Sequence, residues 1–162
     1  MKFNEKVYPT TKPFIIFDLD GTLCNIDHRI HFIRNDENRP DWNSFNKGCI
    51  NDTLYKHIYM IYACMCDPMF HDDTFGCIIV TGRSDEYADQ TIKWLTDHFI
   101  HPDYLYMRPK NNYDSDHVFK KSVIDQYLCD ARVLFVIEDR DRVVDMWRSS
   151  GYKCLQCKKG DY

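Results

Sequence analysis

The feature that most constrains this chain is an apolar stretch that runs directly into two aspartates. Residues 14–17 read Phe-Ile-Ile-Phe, and Asp18-Leu19-Asp20-Gly21-Thr22 follows without a break. Aromatic and β-branched residues without polar alternation predict a strand that is buried on both faces, as in parallel sheets. Because such a strand does not accommodate acids, Asp18 and Asp20 are expected at its C-terminal end, where open α/β sheets bind ligands. Two carboxylates so close together repel each other, and a hard cation such as Mg²⁺ relieves that repulsion.

Apolar runs and helical patterns alternate along the rest of the chain. We predict further strands at about 75–80, 102–108, 133–137 and 152–156. Helices are predicted over 51–66, from about 85 to 98, from an N-cap at Asp116 to about 128, and before Gly151. Strands that alternate with helices are typical of a doubly wound, Rossmann-like α/β fold with a parallel sheet. Residues 1–12 are polar and are interpreted as a short surface arm.

Length and composition set limits on organisation and partners. A chain of 162 residues suits one domain over 1–162, with a small helical cap inserted at about 24–50, after the first strand. The formal net charge of −4 argues against strong non-specific binding to nucleic-acid duplexes. We expect no membrane span, no secretion signal and therefore a cytoplasmic location. The eight cysteines are expected to be reduced, without a disulfide or zinc site.

Three of the predicted strands carry polar groups at their C-terminal ends. These groups are the Asp18/Asp20 pair, Thr81 with Gly82, and the Glu138/Asp139 pair. In a parallel sheet these ends lie side by side, so the groups should converge on one site. The carboxylates then form a hard oxygen site for Mg²⁺, while a threonine hydroxyl and an unobstructed glycine N–H suit a phosphoryl oxygen. The chain has no Gly-x-x-x-x-Gly-Lys-Ser/Thr loop, which argues against a kinase with bound ATP.

The order Asp-x-Asp-Gly-Thr, Thr-Gly-Arg, a helical lysine and an acidic pair resembles the four motifs of the haloacid dehalogenase (HAD) superfamily, whose phosphatases use an aspartate nucleophile. The resemblance implies that Asp18 is the nucleophile and forms an aspartyl-phosphate. It implies that Asp20 protonates the leaving oxygen and later deprotonates the water. Lys120 would neutralise the transferring phosphoryl group, with Lys121 as the neighbour that could have taken this role.

The same resemblance implies a Mg²⁺ cofactor and a phosphate-binding set. The expected metal ligands are oxygens of acidic residues at two strand ends: Asp18, Asp20 through its backbone carbonyl, Glu138 and Asp139. Thr81 and Gly82 would bind the transferring phosphoryl group.

One branch of the superfamily is more similar than the rest. Asp27-His28-Arg29, Tyr106-Met107-Arg108-Pro109 and Glu138-Asp139-Arg140 resemble segments of the 3′-phosphatase domain of phage-type polynucleotide kinases. That branch usually has Asp-Asp where this chain has Glu-Asp. The resemblance implies removal of a terminal 3′-phosphate from DNA, RNA or a 3′-nucleotide. We expect Arg29, Arg83 and Arg108 to grip the substrate phosphates, and we expect no obligate protein partner.

Two alternatives remain open at this point. The first is a phosphatase of nucleoside monophosphates or other small metabolites, which the negative net charge favours. The second is a non-catalytic HAD-like protein that binds a partner, which the presence of both aspartates and the lysine disfavours. Rates on 3′- and 5′-phosphate esters, with and without Mg²⁺, separate these readings.

Overall fold

A six-stranded parallel sheet is the framework of the protein, in a computed structural model that describes residues 1–34, 39–67 and 74–160. Its strand order is β1-β6-β5-β2-β7-β8, and each neighbouring pair is parallel. The strands of the described residues are β1 (Lys2–Phe3), β2 (Phe14–Phe17), β3 (Cys24–Asn25), β4 (Thr53–Leu54), β5 (Gly76–Ser84), β6 (Tyr104–Arg108), β7 (Val133–Arg140) and β8 (Cys154–Gly160).

Helices cover the sheet on both faces. They are α1 (Trp42–Lys47), α2 (Lys56–Cys66), α3 (Ala88–Asp97), α4 (Asp116–Val123) and α5 (Asp141–Ser149), and a π-helical turn at Ile124–Leu128 continues α4. Three short 3₁₀ turns lie at Ile30–Phe32, Gly48–Asn51 and Asp85–Tyr87. This arrangement confirms the predicted doubly wound α/β fold. None of the described helices is long and apolar enough to span a bilayer.

The side chains of β2 alternate between two hydrophobic cores. Ile15 and Phe17 point into the core that contains Tyr62 of α2 and Trp94 of α3. Phe14 and Ile16 point into the opposite core, which contains side chains of α4 and α5. Since β2 is buried on both faces, the acids that follow it come out at the end of the sheet and not into either core.

The central position of β2 brings the functional strand ends together. Phe17 is in register with Ile79 of β5 on one side and with Ile137 of β7 on the other. The residues that follow these three positions therefore reach the same edge of the sheet. This register explains why Asp18, Thr81 and Glu138 lie near one another.

Three details of the sequence prediction were wrong. The polar arm contributes β1, whose two exposed residues pair with Tyr104 and Leu105, so the strand depends on an edge that β6 supplies. The helix predicted over 51–66 begins only at Lys56, because Thr53 and Leu54 pair with the strand after the first acidic turn.

The third error concerns the predicted N-cap of α4. Ser115 holds the N-cap position, without a side-chain capping bond, and Asp116 is the first helical residue. The Asp116 carboxylate is instead drawn to neighbouring cations, lying 3.1 Å from Arg108 Nη2 and 3.2 Å from Lys120 Nζ. The Asp116 side chain therefore forms ion pairs within the site instead of capping the helix.

The segment between β2 and α2 includes the region predicted as a small cap at about 24–50. It contains α1, two 3₁₀ turns and the antiparallel β3–β4 pair, while residues 35–38 lie outside the described part of the chain. Pairing of Cys24 with Leu54 ties the two ends of this segment together. Asp52, just before β4, is thereby held beside the acidic turn.

Candidate active site

Lys120 is the positive centre of the site. It projects from α4 with about 1% of its side chain exposed. Its Nζ donates to Asp18 Oδ1 at 2.7 Å and to Glu138 Oε2 at 2.8 Å, and lies 3.2 Å from Asp116 Oδ2. Burial alone would lower the pKa of the ammonium, but the three carboxylates raise that pKa well above its ordinary value. Lys121, the other candidate, forms an exposed ion pair with Asp125.

One lysine does not balance the carboxylates around it. Burial, followed by repulsion from Glu138, raises the pKa of Asp18 to about 7 despite the attraction of Lys120. Burial is also the main reason that the pKa of Glu138 rises to about 7. In the metal-free protein these two carboxyls therefore hold protons at pH values where ordinary acids are ionised.

Three carboxylates are close enough to bind one divalent cation. Oxygens of Asp18, Glu138 and Asp139 all lie within 4.8 Å of one another, and all three residues are buried. An all-oxygen donor set at this spacing suits a hard ion such as Mg²⁺. Glu138 has other contacts as well, because its Oε1 accepts from the backbone N–H groups of Asp139 and Arg140 at 3.2 and 3.4 Å. The longer side chain thus also supports the turn that carries Asp139.

Asp20 faces a different environment although only one residue separates it from Asp18. Its Oδ1 accepts from Arg29 Nη2 at 2.6 Å and from Arg83 Nε at 2.9 Å. Burial would raise the pKa of Asp20, but the two guanidinium groups outweigh it and hold that pKa well below its ordinary range. The Asp20 carboxylate is therefore ionised and oriented by arginines, and it is not one of the three clustered carboxylates.

Asp20, Arg29 and Arg83 form a second charged cluster together with Asp52, which the sequence analysis missed. Its two oxygens accept from Arg29 Nε and Nη2, both at 2.6 Å, and Oδ2 also accepts from Arg83 Nη2 at 2.7 Å. The Asp52 side chain is fully buried. No motif marks this residue in the sequence. Only the demand of two buried guanidinium groups for a buried anion could have pointed to it.

The structure places Arg29 and Arg83 away from open solvent. Arg29 is 0% and Arg83 1% exposed, and both are held by the carboxylates of Asp20 and Asp52. One donor of this cluster is left over, because Arg83 Nη1 is buried without a hydrogen-bond partner among the described residues. Arg83 also lines a cavity at this edge of the sheet. Arg29 instead donates its third nitrogen to the Phe45 carbonyl at 3.2 Å.

Arg108 braces the loop that follows β6. Its Nε donates to the carbonyl of Gly82 at 3.0 Å, and its Nη2 donates to Asp116 at 3.1 Å. Its Nη1 donates to the carbonyl of Asp114 at 2.5 Å and to Asn112 Oδ1 at 3.3 Å. Each of its nitrogens thus has a protein acceptor, and the side chain lines the cavity while holding the loop in place.

Thr81 and Gly82 lie near the C-terminal end of β5, beside these groups. Thr81 is fully buried, and its Oγ1 accepts from the Arg83 backbone N–H at 3.3 Å. A Cβ atom at Gly82 would overlap the Asp116 carboxylate. A side chain at this position would therefore displace the acid that anchors Lys120.

A cavity of about 840 Å³ opens over this edge of the sheet. Its floor includes Asp18, Asp20, Gly82 and Arg83. Its walls come from α1, the 3₁₀ turn after β5, the loop between β6 and α4, and the start of α5. The volume lies within the range of ~300–1,000 Å³ that is usual for small-ligand sites.

A family model described as the polynucleotide kinase PNKP phosphatase domain matches residues 12–162. The chain belongs to this family. It is therefore a HAD-type phosphatase domain similar to the PNKP 3′-phosphatase, as the sequence motifs predicted. Residues 161–162, at the end of the match, lie outside the described part of the structure.

Solved structures agree with membership in the PNKP phosphatase family. A chain of the Pnkp1/Rnl/Hen1 complex is 29% identical with a TM-score of 0.75, and the alignment covers 94% of this chain and 48% of that one. A structure of the Pnkp1/Rnl/Hen1 RNA repair complex gives 28% identity and a TM-score of 0.74, with 97% and 46% covered. This chain thus spans about half the length of those two.

A more distant structure is similar in fold alone. The haloacid dehalogenase-like hydrolase SP0104 from Streptococcus pneumoniae is 16% identical, with a TM-score of 0.57 and 90% and 84% of the two chains covered. Its similarity supports the Rossmann-like HAD architecture.

Proposed function

We propose that this PNKP-type phosphatase domain removes 3′-terminal phosphates from polynucleotides or from 3′-nucleotides by way of an aspartyl-phosphate. The single observation that carries this proposal is the position of Asp18, on the cavity floor, with one oxygen on Lys120 and with two further acids nearby. A carboxylate that is buried, oriented and next to a fixed ammonium is suited to attack phosphorus. Membership of the chain in the PNKP phosphatase family supports a polynucleotide as the substrate class.

The proposed reaction has two displacement steps. In the first, a carboxylate oxygen of Asp18 forms a bond to phosphorus, and the bond from phosphorus to the 3′-oxygen breaks. In the second, a water oxygen attacks phosphorus and breaks its bond to the Asp18 oxygen, which releases inorganic phosphate and restores the carboxylate. Lys120 remains within reach of Asp18 and offsets the charge that develops on the phosphoryl oxygens.

Asp20 is proposed to serve the proton transfers. In the first step Asp20 is proposed to donate a proton to the leaving 3′-oxygen, which its low pKa, maintained by the two guanidinium groups, favours. The carboxylate that remains takes a proton from the attacking water in the second step, which restores Asp20 for the next turnover. Arg29 and Arg83 hold the carboxylate in one orientation.

Phosphate binding is proposed for Gly82 and Arg83, which lie at the cavity floor, and for Thr81, which precedes them in β5. The unused Arg83 Nη1 donor supports this assignment, since a buried guanidinium N–H without an acceptor is costly until an anion arrives. For Arg108 we propose a supporting role through the loop after β6, because each of its nitrogens already has a protein acceptor. For Arg29 the contacts support orientation of Asp20 and Asp52.

A magnesium ion is proposed as the cofactor. Asp18, Glu138 and Asp139 would hold it through carboxylate oxygens, together with the backbone carbonyl of Asp20. When bound, such an ion neutralises charge on the phosphoryl oxygens and on the acids. The segment at about 24–50, whose α1 residues line the cavity, is proposed as a small cap within a single domain.

The proposal is tested with a panel of phosphate esters in Mg²⁺ and in EDTA. The panel contains 3′-phosphorylated DNA and RNA oligonucleotides, a 3′-nucleotide, a 5′-nucleotide and glycerol phosphate. RNA is included because one similar structure comes from an RNA repair complex. We expect Mg²⁺-dependent release of phosphate from the 3′-esters. Faster turnover of the 5′-nucleotide would favour a nucleotide phosphatase, and no turnover of any ester would favour a binding protein.

Two aspartate variants assign the nucleophile. Asp18→Asn is expected to abolish turnover while the protein remains folded, because an amide cannot form the acyl phosphate. Asp130→Asn is the matched control, since Asp130 forms an exposed ion pair with Lys6, outside the cavity. Activity retained in Asp18→Asn would refute the assignment.

A further inference from the structure

Two exposed aromatic side chains stand in the walls of the catalytic cavity. Trp42 is 51% exposed and Tyr113 is 91% exposed, and both line the same cavity as Asp18 and Asp20. They belong to separate elements, because Trp42 opens α1 and Tyr113 lies in the loop between β6 and α4. Neither ring contributes to a hydrophobic core of the described residues.

The backbone that carries Trp42 is firmly held. Asp41 accepts a capping bond from the Ser44 N–H at 3.0 Å, and the Trp42 ring meets the Phe45 ring edge-on at 5.8 Å. Phe45 is buried and lies 4.1 Å from the Arg29 guanidinium. The indole is thus positioned by the structure while about half of it remains open to a ligand.

Hydrogen bonds hold the loop at the residues before and after Tyr113. Arg108 Nη1 donates to Asn112 on one side of Tyr113 and to the carbonyl of Asp114 on the other. Asn112 and Asp114 also bond to each other, since the Asp114 N–H donates to Asn112 Oδ1 at 3.0 Å. An ordered backbone that presents an aromatic ring to a cavity is a low-entropy contact surface.

Most of the positive charge in and beside the cavity is already paired with carboxylates of the protein. Lys110 pairs with Glu86 at 2.6 Å, and the guanidinium groups of Arg108 and Arg140 lie 3.1 and 3.7 Å from Asp116 oxygens. The chain as a whole is acidic. Apart from the exposed Arg142, the described part of the cavity wall offers little unpaired positive charge to a polyanionic backbone, so binding of the substrate beyond its phosphate draws on a further contact. Stacking of a base on an aromatic face supplies one that tolerates any sequence.

We propose that Trp42 and Tyr113 form a base-binding site for the nucleobase of the 3′-terminal nucleotide. This inference rests on the proposed 3′-phosphatase function and adds the contact that distinguishes a nucleotide from a simple sugar phosphate. The site reads the presence of a planar base and not its identity. The protein would therefore recognise the terminal nucleotide, and the length of the strand that precedes this nucleotide would matter less.

The experiment compares two oligonucleotides that differ at one position. Both carry a 3′-terminal phosphate, but one ends in a normal nucleotide and the other in an abasic tetrahydrofuran residue. We expect the wild type to prefer the first by roughly 5- to 100-fold in kcat/KM, with the difference mainly in KM. Trp42→Ala and Tyr113→Ala should each reduce this preference by at least about fivefold, whereas Trp42→Phe should retain most of it.

Tyr8→Ala is the matched control, because Tyr8 is 66% exposed and does not line the cavity. It should leave the preference unchanged. Equal kcat/KM of the wild type for the two oligonucleotides, or an unchanged preference in both alanine variants, would overturn the base-binding site while leaving the phosphatase function intact. Failure to hydrolyse either oligonucleotide would instead overturn the proposed function and the base site with it.

Discussion

Without a divalent cation, the acidic end of the sheet holds more negative charge than one lysine neutralises. Asp18 is the clearest case, because its pKa rises from an ordinary 3.8 to about 7 through burial and the nearby Glu138. Replacing it with asparagine removes a charge that the folded state disfavours while keeping nearly the same shape. The metal-free Asp18→Asn protein should therefore be more stable than the wild type near neutral pH.

The sign and size of this effect follow from linkage. Because the folded-state pKa is raised, the folded protein binds more protons than the unfolded chain between those two values, so stability falls as pH rises through this window. For values of 3.8 and about 7, the loss between about pH 5 and pH 8 is roughly 2–3 kcal/mol. The asparagine variant does not suffer this loss, so its stability advantage should grow by about that amount over the same range.

The assay is urea unfolding in EDTA at about pH 5 and pH 8, followed by circular dichroism. Asp130→Asn is again the control, since its ion pair with Lys6 lowers the pKa of Asp130 and its neutralisation should bring no gain at high pH. Mg²⁺ at a hundred times its Kd should stabilise the wild type by about 3 kcal/mol and thereby offset most of the advantage of Asp18→Asn. An Asp18→Asn advantage that stays constant or shrinks from pH 5 to pH 8 in EDTA would refute the charge imbalance.

Three further predictions concern the neighbours of Asp18. Gly82→Ala should lower kcat by roughly 100-fold, because its Cβ would displace the Asp116 carboxylate that anchors Lys120. Gly151→Ala is the control, because Gly151 has a φ of +88° and open space around it. This control should lower the free energy of unfolding in urea by about 1 kcal/mol and leave kcat unchanged. Asp52→Asn should destabilise the protein by about 3–5 kcal/mol in the same unfolding assay, because it removes a fully buried anion from two guanidinium groups. Calorimetric Mg²⁺ binding should weaken by up to about a hundredfold for each pH unit below 7, because Asp18 and Glu138 must each lose a proton to become ligands. An affinity that does not change between pH 5.5 and 7 would contradict this prediction.

The sequence predicted the central strands and the strand-end acids because local chemistry decides both. An uninterrupted apolar run such as Phe14–Phe17 is stable only when covered on two faces, and the acids that follow must lie at its end. The edge strand Lys2–Phe3 carries no such signal. Two exposed residues become a strand only because β6 offers unpaired backbone groups beside them.

The sequence analysis could not predict the contacts of Arg29 and Arg83 for a different reason. Arg29 and Arg83 have the residue type and position of phosphate-binding groups, and nothing nearby in the chain shows which anion they meet. One of their two anions is Asp20, and the other is Asp52, which is 23 residues from Arg29 in sequence and reaches it at 2.6 Å. This contact depends on pairing of β3 with β4, and two-residue strands leave no periodicity to detect.

The opposite pKa shifts of Asp18 and Asp20 provide the strongest physical argument for dividing their roles. Residues two apart in a continuing strand would point to the same face, but the turn at Gly21, with φ of +93°, ends the strand here. One carboxylate then turns to a single lysine among other acids, and the other to two guanidinium groups. Positive charge that could neutralise a carboxylate is scarce around Asp18 and abundant around Asp20. The proposed Mg²⁺ would favour the ionised form of Asp18 near neutral pH, whereas Asp20 is ionised without it. Binding of the proposed Mg²⁺ would thereby also increase the fraction of Asp18 that can act as the proposed nucleophile.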